Sequence, residues 1–281
     1  MRMEQAILGL YHARGNYSER ELDIGFLAKS LGGPKLLYAL SHSHGLLAYR
    51  TITNRHHIPR LIPSGSTPSK EEILANISSF FPPEQCPELP KCGHSLLIDG
   101  VAVDERGCYD WERNEVIGFC CEYIVGLDRQ ITNMAVVEYL SGLTQGEDLL
   151  LHYGSEASVV AIAAHHPDQY QAIPLVVSTK CGTETGEECA SWLKVIMDSW
   201  ASHEHGAQQN GPIWLVASDG EASLQNSRFN LCMDCDLDRS TLLGKKLVQL
   251  PGLNLRTGPS DVMMTTDYKH AFKRKLLAPV T

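Results

Sequence analysis

Two apolar runs in this chain each lead into an aspartate: Ser95-Leu96-Leu97-Ile98-Asp99 and Ile213-Trp214-Leu215-Val216-Ala217-Ser218-Asp219. A buried strand that delivers a carboxylate at its C-terminal end places a metal ligand at the edge of an α/β sheet. Taken singly, each aspartate is followed by glycine, and Asp-Gly after a strand is most often only a turn. Two strongly apolar strands ending in the same carboxylate, with a helix-forming stretch between them, point instead to a shared site. Magnesium prefers oxygen ligands and takes one or two carboxylates, completing its shell with water and phosphate oxygens. Two ions held by shared carboxylates can activate a water and stabilise a leaving oxygen.

The length of 281 residues allows one large domain or two small ones. Hydrophobic residues at 43% and charged residues at 20% describe a globular chain. A net charge of -9 argues against a dedicated nucleic-acid-binding module, though not against an acidic catalytic core with a local basic patch. The nine cysteines follow no repeating frame, and Cys120 and Cys121 sit inside an apolar run. They read as reduced, buried thiols of an intracellular, soluble protein. No apolar run approaches membrane-spanning length, and the first ten residues do not form a signal peptide.

Along the chain, residues 1–92 read as a mostly helical N-terminal region. Ser18-Glu19-Arg20-Glu21 is a capping box opening a helix that Gly32-Gly33-Pro34 stops, and Lys35 to Leu47 reads as a second helix. Ser69-Lys70-Glu71-Glu72 opens another, with Ile73, Leu74, Ile77 and Phe80 at helical spacing. Residues 93–250 alternate strand and helix. Leu96 to Val103 and Glu115 to Val125 are expected to form a hairpin around the polar turn Asp110 to Asn114. Ala157 to Ala164 and Ile173 to Ser178 have strand or buried-helix length, which periodicity does not separate. Thr185-Gly186-Glu187-Glu188 caps the clearest helix, with the stripe Cys189, Trp192, Leu193, Ile196, Met197 and Trp200. A shorter helix is expected from Glu221 toward Cys235, and residues 251–281 form a loop and basic tail.

This pattern predicts a mixed α/β sheet with flanking helices, ribonuclease-H-like rather than Rossmann-like because of the early hairpin. A haloacid-dehalogenase-type phosphatase would need Asp-x-Asp, and the second position after Asp99 is Val101. Structural zinc needs four well-supported ligands. Cys86, Cys92 and His94, and the pair Cys232 and Cys235, read as core or surface groups instead. Thr266-Asp267-Tyr268-Lys269-His270-Ala271-Phe272-Lys273-Arg274 reads, on its residues alone, as a solvated helix with an N-cap acid.

Several segments taken in order resemble the catalytic region of P-element-like transposases, most closely the fungal Kyakuja-Dileera-Zisupton type. They are Leu97-Ile98-Asp99 with Glu105-Arg106, Asn114 to Cys120, Tyr170 to Ser178 with Pro174, Ser218-Asp219-Gly220-Glu221-Ala222, and Asp267-Tyr268-Lys269-His270 with Lys273-Arg274. The resemblance spans roughly residues 35–275. It implies a ribonuclease-H-like core of a transposable-element protein. Asp99 and Asp219 would be the first two acids of an aspartate-aspartate-glutamate set, holding Mg2+ or Mn2+. The implied chemistry is cleavage of DNA and strand transfer, with Lys269, Lys273 and Arg274 on nucleic acid and a nuclear location.

The chain departs from that pattern at two places. Gly100 stands where the family has glutamate, and Ser223-Leu224-Gln225-Asn226-Ser227 replaces an arginine-rich turn that would supply cationic phosphate contacts. In the family the third acid lies beyond the Asp-Tyr-Lys-His segment. A chain ending at Thr281 is therefore expected to be a truncated copy, inactive alone, with Asp267 as the candidate third acid and Glu221 and Asp261 as other nearby carboxylates. The competing reading is a non-catalytic remnant acting as an interaction protein.

Overall fold

The computed structural model describes residues 17–44, 46–55, 59–82, 91–145, 149–169, 171–219 and 221–266. The chain divides into two units, one ending at Pro59 and one beginning at Arg60. In the first, Ser18 and Glu21 form the expected capping box, each side chain bonding the other's backbone amide. Helix α1 (Glu19–His44) breaks at Gly33, whose φ of 67° is open to glycine and costly for other residues. The Gly-Gly-Pro stop thus acts as a kink between two helical stretches. Helix α2 (Tyr49–Arg55) follows, and Leu37, Leu47 and Ile52 are buried together.

The second unit starts earlier than expected. Helix α3 (Lys70–Phe80), with its capping box at Ser69 and Glu72, belongs to it rather than to an N-terminal region ending near residue 92. The reason is burial: Ile73 and Ile77 lie fully inside the main core, and each such side chain contributes about 1.5–3 kcal/mol when removed from water. Asn76, also buried, accepts from the Ile62 amide and donates to the carbonyls of Ile62 and Leu175, fastening the loop and helix to the sheet.

That sheet contains β1 (His94–Ala102), β4 (Glu156–Ala164), β5 (Ala172–Lys180), β6 (Ile213–Ser218) and β9 (Met263–Thr266), in the order β5-β4-β1-β6-β9. β1 runs antiparallel to β4, as does β4 to β5, whereas β1–β6 and β6–β9 are parallel. The two runs left open between strand and helix are therefore both strands. Pro174, which lacks a ladder donor, sits on edge strand β5 beside a register shift.

The expected hairpin partner of β1 is corrected. Residues 103–155 leave the sheet: β2 (Cys108–Asp110) and β3 (Glu115–Ile117) pair with each other, and helix α4 (Met134–Leu143) packs on Phe119, Ile124 and Leu151. β3 ends because Gly118 takes φ 102°, and a Cβ there would lie 2.3 Å from the Arg106 carbonyl. Cys120 to Ile124 then wind into turns instead of extending the strand. Three antiparallel strands in one sheet also remove the mostly parallel arrangement a Rossmann-like phosphatase requires.

Helices α5 (Gly186–Ser202) and α7 (Ala222–Cys232) join α3 on one face of the sheet. Leu96, Ile98, Val160, Ile162 and Val216 meet Cys189, Leu193, Ile196, Trp200, Leu224 and Leu231 there. Since strand side chains alternate, Leu97 and Asp99 belong to the other face. A short helix α6 (Ala207–Asn210) precedes β6. After α7 come β7 (Cys235–Asp236), helix α8 (Leu242–Leu247) and β8 (Arg256–Thr257), β7 pairing with β8. Among the described residues no helix is long and apolar enough to cross a membrane.

Candidate functional site

The parallel pairing of β1 with β6 ends at Ile98 opposite Ser218. The next residue on each strand is an aspartate, so Asp99 and Asp219 leave neighbouring strands at the same level and the same sheet edge. β1 itself continues beside β4 to Ala102, so Asp99 lies within the strand and not at its end. Asp99 is exposed and Asp219 half-buried. The Asp99 carboxylate accepts from the Gly100 amide at 3.0 Å, and that of Asp219 from the Glu221 amide at 2.9 Å. Among the described residues, no lysine or arginine forms an ion pair with either carboxylate. Their donor set is hard, anionic oxygen at a sheet edge, which fits magnesium or manganese better than zinc. Among the described residues they are not joined by a third acid, histidine or cysteine in a metal-binding group.

The other acids considered as a third ligand fall out differently. Asp261 precedes β9, which runs parallel to β6 from Met263 opposite Leu215, and so lies toward the far end of the sheet. Glu221 is close to Asp219, but its carboxylate is engaged by Lys180 at 3.3 and 3.4 Å. Asp267 follows Thr266, which pairs with Ser218, and itself lies outside the described residues, as do Lys269, Lys273 and Arg274. The stretch replacing the arginine-rich turn is the first part of α7, with Leu224 and Ser227 buried; its one cation, Arg228, is buried as well. Arg228 donates to the Thr265 and Asp219 carbonyls, pinning the end of β6 from beneath. Of the groups once weighed for zinc, Cys232 is buried in α7 while Cys235 is exposed, and the His94 ring lies 5.3 Å from that of Trp200.

Two residues at this edge were not legible from sequence. Glu156 opens β4 and Lys180 closes β5, and antiparallel pairing sets them opposite each other. Lys180 is buried and bridges Glu221 at 3.3 Å and Glu156 at 3.7 Å. Burial alone would lower its pKa, but the carboxylates of Glu221 and Glu156 outweigh that and hold it above the ordinary lysine value. A Cβ at position 100 would lie 1.5 Å from the Glu156 carboxylate oxygen, so a side chain there would require that flexible group to move aside. The space a side chain beside Asp99 would enter is filled from the neighbouring strand. The available signal was a charge immediately flanking each apolar run, which gains meaning only once both runs are known to be paired strands.

No family model matches the chain, and no curated protein matches it. Among solved structures, the Drosophila P element transposase strand transfer complex is similar at a TM-score of 0.46 with 8% sequence identity. The match covers 98% of this chain and 46% of that one.

Proposed function

We propose that this chain is a transposase-derived core of ribonuclease-H-like fold whose Asp99 and Asp219 hold a divalent cation, Mg2+ or Mn2+, against DNA phosphate. The observation that carries this reading is the parallel register placing Ile98 opposite Ser218, which brings the two aspartates out side by side. The strand order is consistent with that fold: three antiparallel strands, with two parallel strands added beyond the first of them, are what a ribonuclease-H-like sheet would contain. The sequence resemblance supplies the transposase reading, within it the P-element-like and Kyakuja-Dileera-Zisupton kind.

When bound, the cation would supply Lewis-acid stabilisation of charge on the phosphate and lower the pKa of a coordinated water. The protein's own contribution is positional. Asp99 sits on a rigid strand, and Asp219 is fixed by the Glu221 amide and by Arg228 beneath its carbonyl. With Glu221 engaged by Lys180, two carboxylates among the described residues are presented to a cation where the implied chemistry uses three. We therefore propose that residues 1–281 bind the ion but do not cut DNA alone.

Supercoiled plasmid incubated with the protein and Mg2+ or Mn2+ tests this directly. The expected result is no nicked circle above that of the Asp219→Asn variant. A nick that needs the metal and disappears in that variant would overturn the assignment of an incomplete site.

A further inference from the structure

The Asp99–Asp219 edge carries a buried cation that touches neither aspartate. Lys180 lies at the end of β5, one strand beyond β4, and its side chain is 3% exposed. An ammonium so placed is costly unless paired, and it is paired twice, to Glu156 of β4 and to Glu221. Glu221 is the residue immediately before α7, its carboxylate accepts from Ser223, and its amide donates to the Asp219 carboxylate. A continuous path therefore runs from β5 through Lys180 and Glu221 to the Asp219 side chain. The second arm, Glu156, lies over Gly100 on the helix-bearing face of the sheet, opposite the face of Asp99.

We propose that Lys180 is a positioning residue for the two-aspartate site: it clamps Glu221, and through the Glu221 amide it fixes the orientation of the Asp219 carboxylate. The metal role of Asp219 rests on the function proposed above; the clamp itself does not. Lys180 also accounts for Glu221 not serving as a further acid at this edge. Its charge neutralises Glu221, the carboxylate linked to Asp219 through its amide, and keeps it from competing for the cation.

Lys180→Met and Lys180→Arg, compared with the unaltered protein, separate positioning from general stability. Hydrogen exchange followed by mass spectrometry is read on peptides covering 217–226 and 157–164, and Mn2+ affinity is read by titration calorimetry. In Lys180→Met, exchange should rise in 217–226 with little change in 157–164. Mn2+ affinity should fall about tenfold, the scale seen when a group supporting a metal ligand is removed. Lys180→Arg, which keeps the charge, should restore both. Exchange that rises equally in both peptides, or stays unchanged in 217–226, overturns the proposal, as does Mn2+ affinity equal to that of the unaltered protein. If the unaltered protein binds no Mn2+, the metal reading falls, and the exchange data alone decide the clamp. Should Lys180→Met not fold, Glu221→Gln removes one arm while leaving Lys180 paired with Glu156, and the same rise in 217–226 is required.

Discussion

Two buried charge clusters in this protein are built from the same residue types and have opposite balances. In one, Glu115 lies between Arg113 at 2.9 Å and Arg129 at 3.4 Å, and Arg113 turns to Glu72 at 2.9 Å. Two carboxylates meet two guanidiniums, and the charges close on themselves. In the other, Lys180 and Arg228 lie beneath an edge carrying Glu156, Glu221, Asp99 and Asp219. Four carboxylates there outnumber two cations: Glu156 and Glu221 are paired with Lys180 on the helix-bearing face, while neither Asp99, on the opposite face, nor Asp219 forms an ion pair among the described residues. The balanced cluster fastens α3 and the 60–69 loop to the excursion after β1; the unbalanced one is the edge at which we propose that a cation binds. Charge balance separates a structural ion network from a candidate site more sharply than the presence of acids does.

The largest effect that would break this contrast is at Glu115. Its replacement by glutamine leaves two partly buried guanidiniums without their shared anion and should lower stability by about 3 kcal/mol in urea unfolding. A loss below about 0.5 kcal/mol, the scale of an ordinary surface change, would remove the structural reading of that cluster. The edge should respond in the opposite way. Asp99→Asn and Asp219→Asn retain an oxygen that can accept the amide bonds from Gly100 and Glu221. Stability should therefore change by no more than about 0.5 kcal/mol, or rise, while Mn2+ affinity falls about tenfold or more. The double variant should lose less than the sum of the two single losses, because both acids serve one ion; strictly additive losses would mean that the two acids act independently.

His94 gives an intermediate case, a buried titratable ring. Burial holds its pKa below the ordinary 6.5, so the unfolded chain takes up a proton that the folded one resists. Stability should be unaffected above pH 6.5 and decline as pH falls below it, and His94→Gln should flatten that decline in urea unfolding measured from pH 7.5 to 5.5. An unchanged pH slope would show that His94 is not its source. The smallest effect concerns thiols. Burial pushes Cys189 up to about 12 and Cys232 up to about 11, whereas Cys108 and Cys235 are exposed. At pH 8 a disulfide reagent should modify Cys108 and Cys235 first and reach Cys189 and Cys232 only on unfolding; early labelling of either buried thiol would contradict the core packing.

The helices were legible because their signals are local. Ser69 with Glu72 and Thr185 with Glu188 form the capping boxes their spacing predicts, and the Cys189 to Trp200 stripe is buried. The aspartates were legible as a pair because each ends an apolar run. What local pattern did not carry was pairing. The excursion after β1 could not be foreseen, since Glu115 to Val125 has strand-like composition and is broken by the positive φ of Gly118. The α3 boundary failed for a similar reason: prolines near residue 82 mark a break in the helix and say nothing of where Ile73 and Ile77 are buried. Lys180 and Glu156 are 24 residues apart and meet only through the β4–β5 register.

The central claim is that one cation is held between Asp99 on β1 and Asp219 just beyond β6, and metal-directed cleavage of the chain tests it most directly. Fe2+ substituted for Mg2+, with ascorbate and peroxide, generates hydroxyl radicals that cut the backbone close to the bound ion. The account predicts cuts near both residue 99 and residue 219, suppressed together by excess Mg2+ and together absent from Asp219→Asn. Cuts at only one of the two segments, or cuts that persist in that variant, would contradict it.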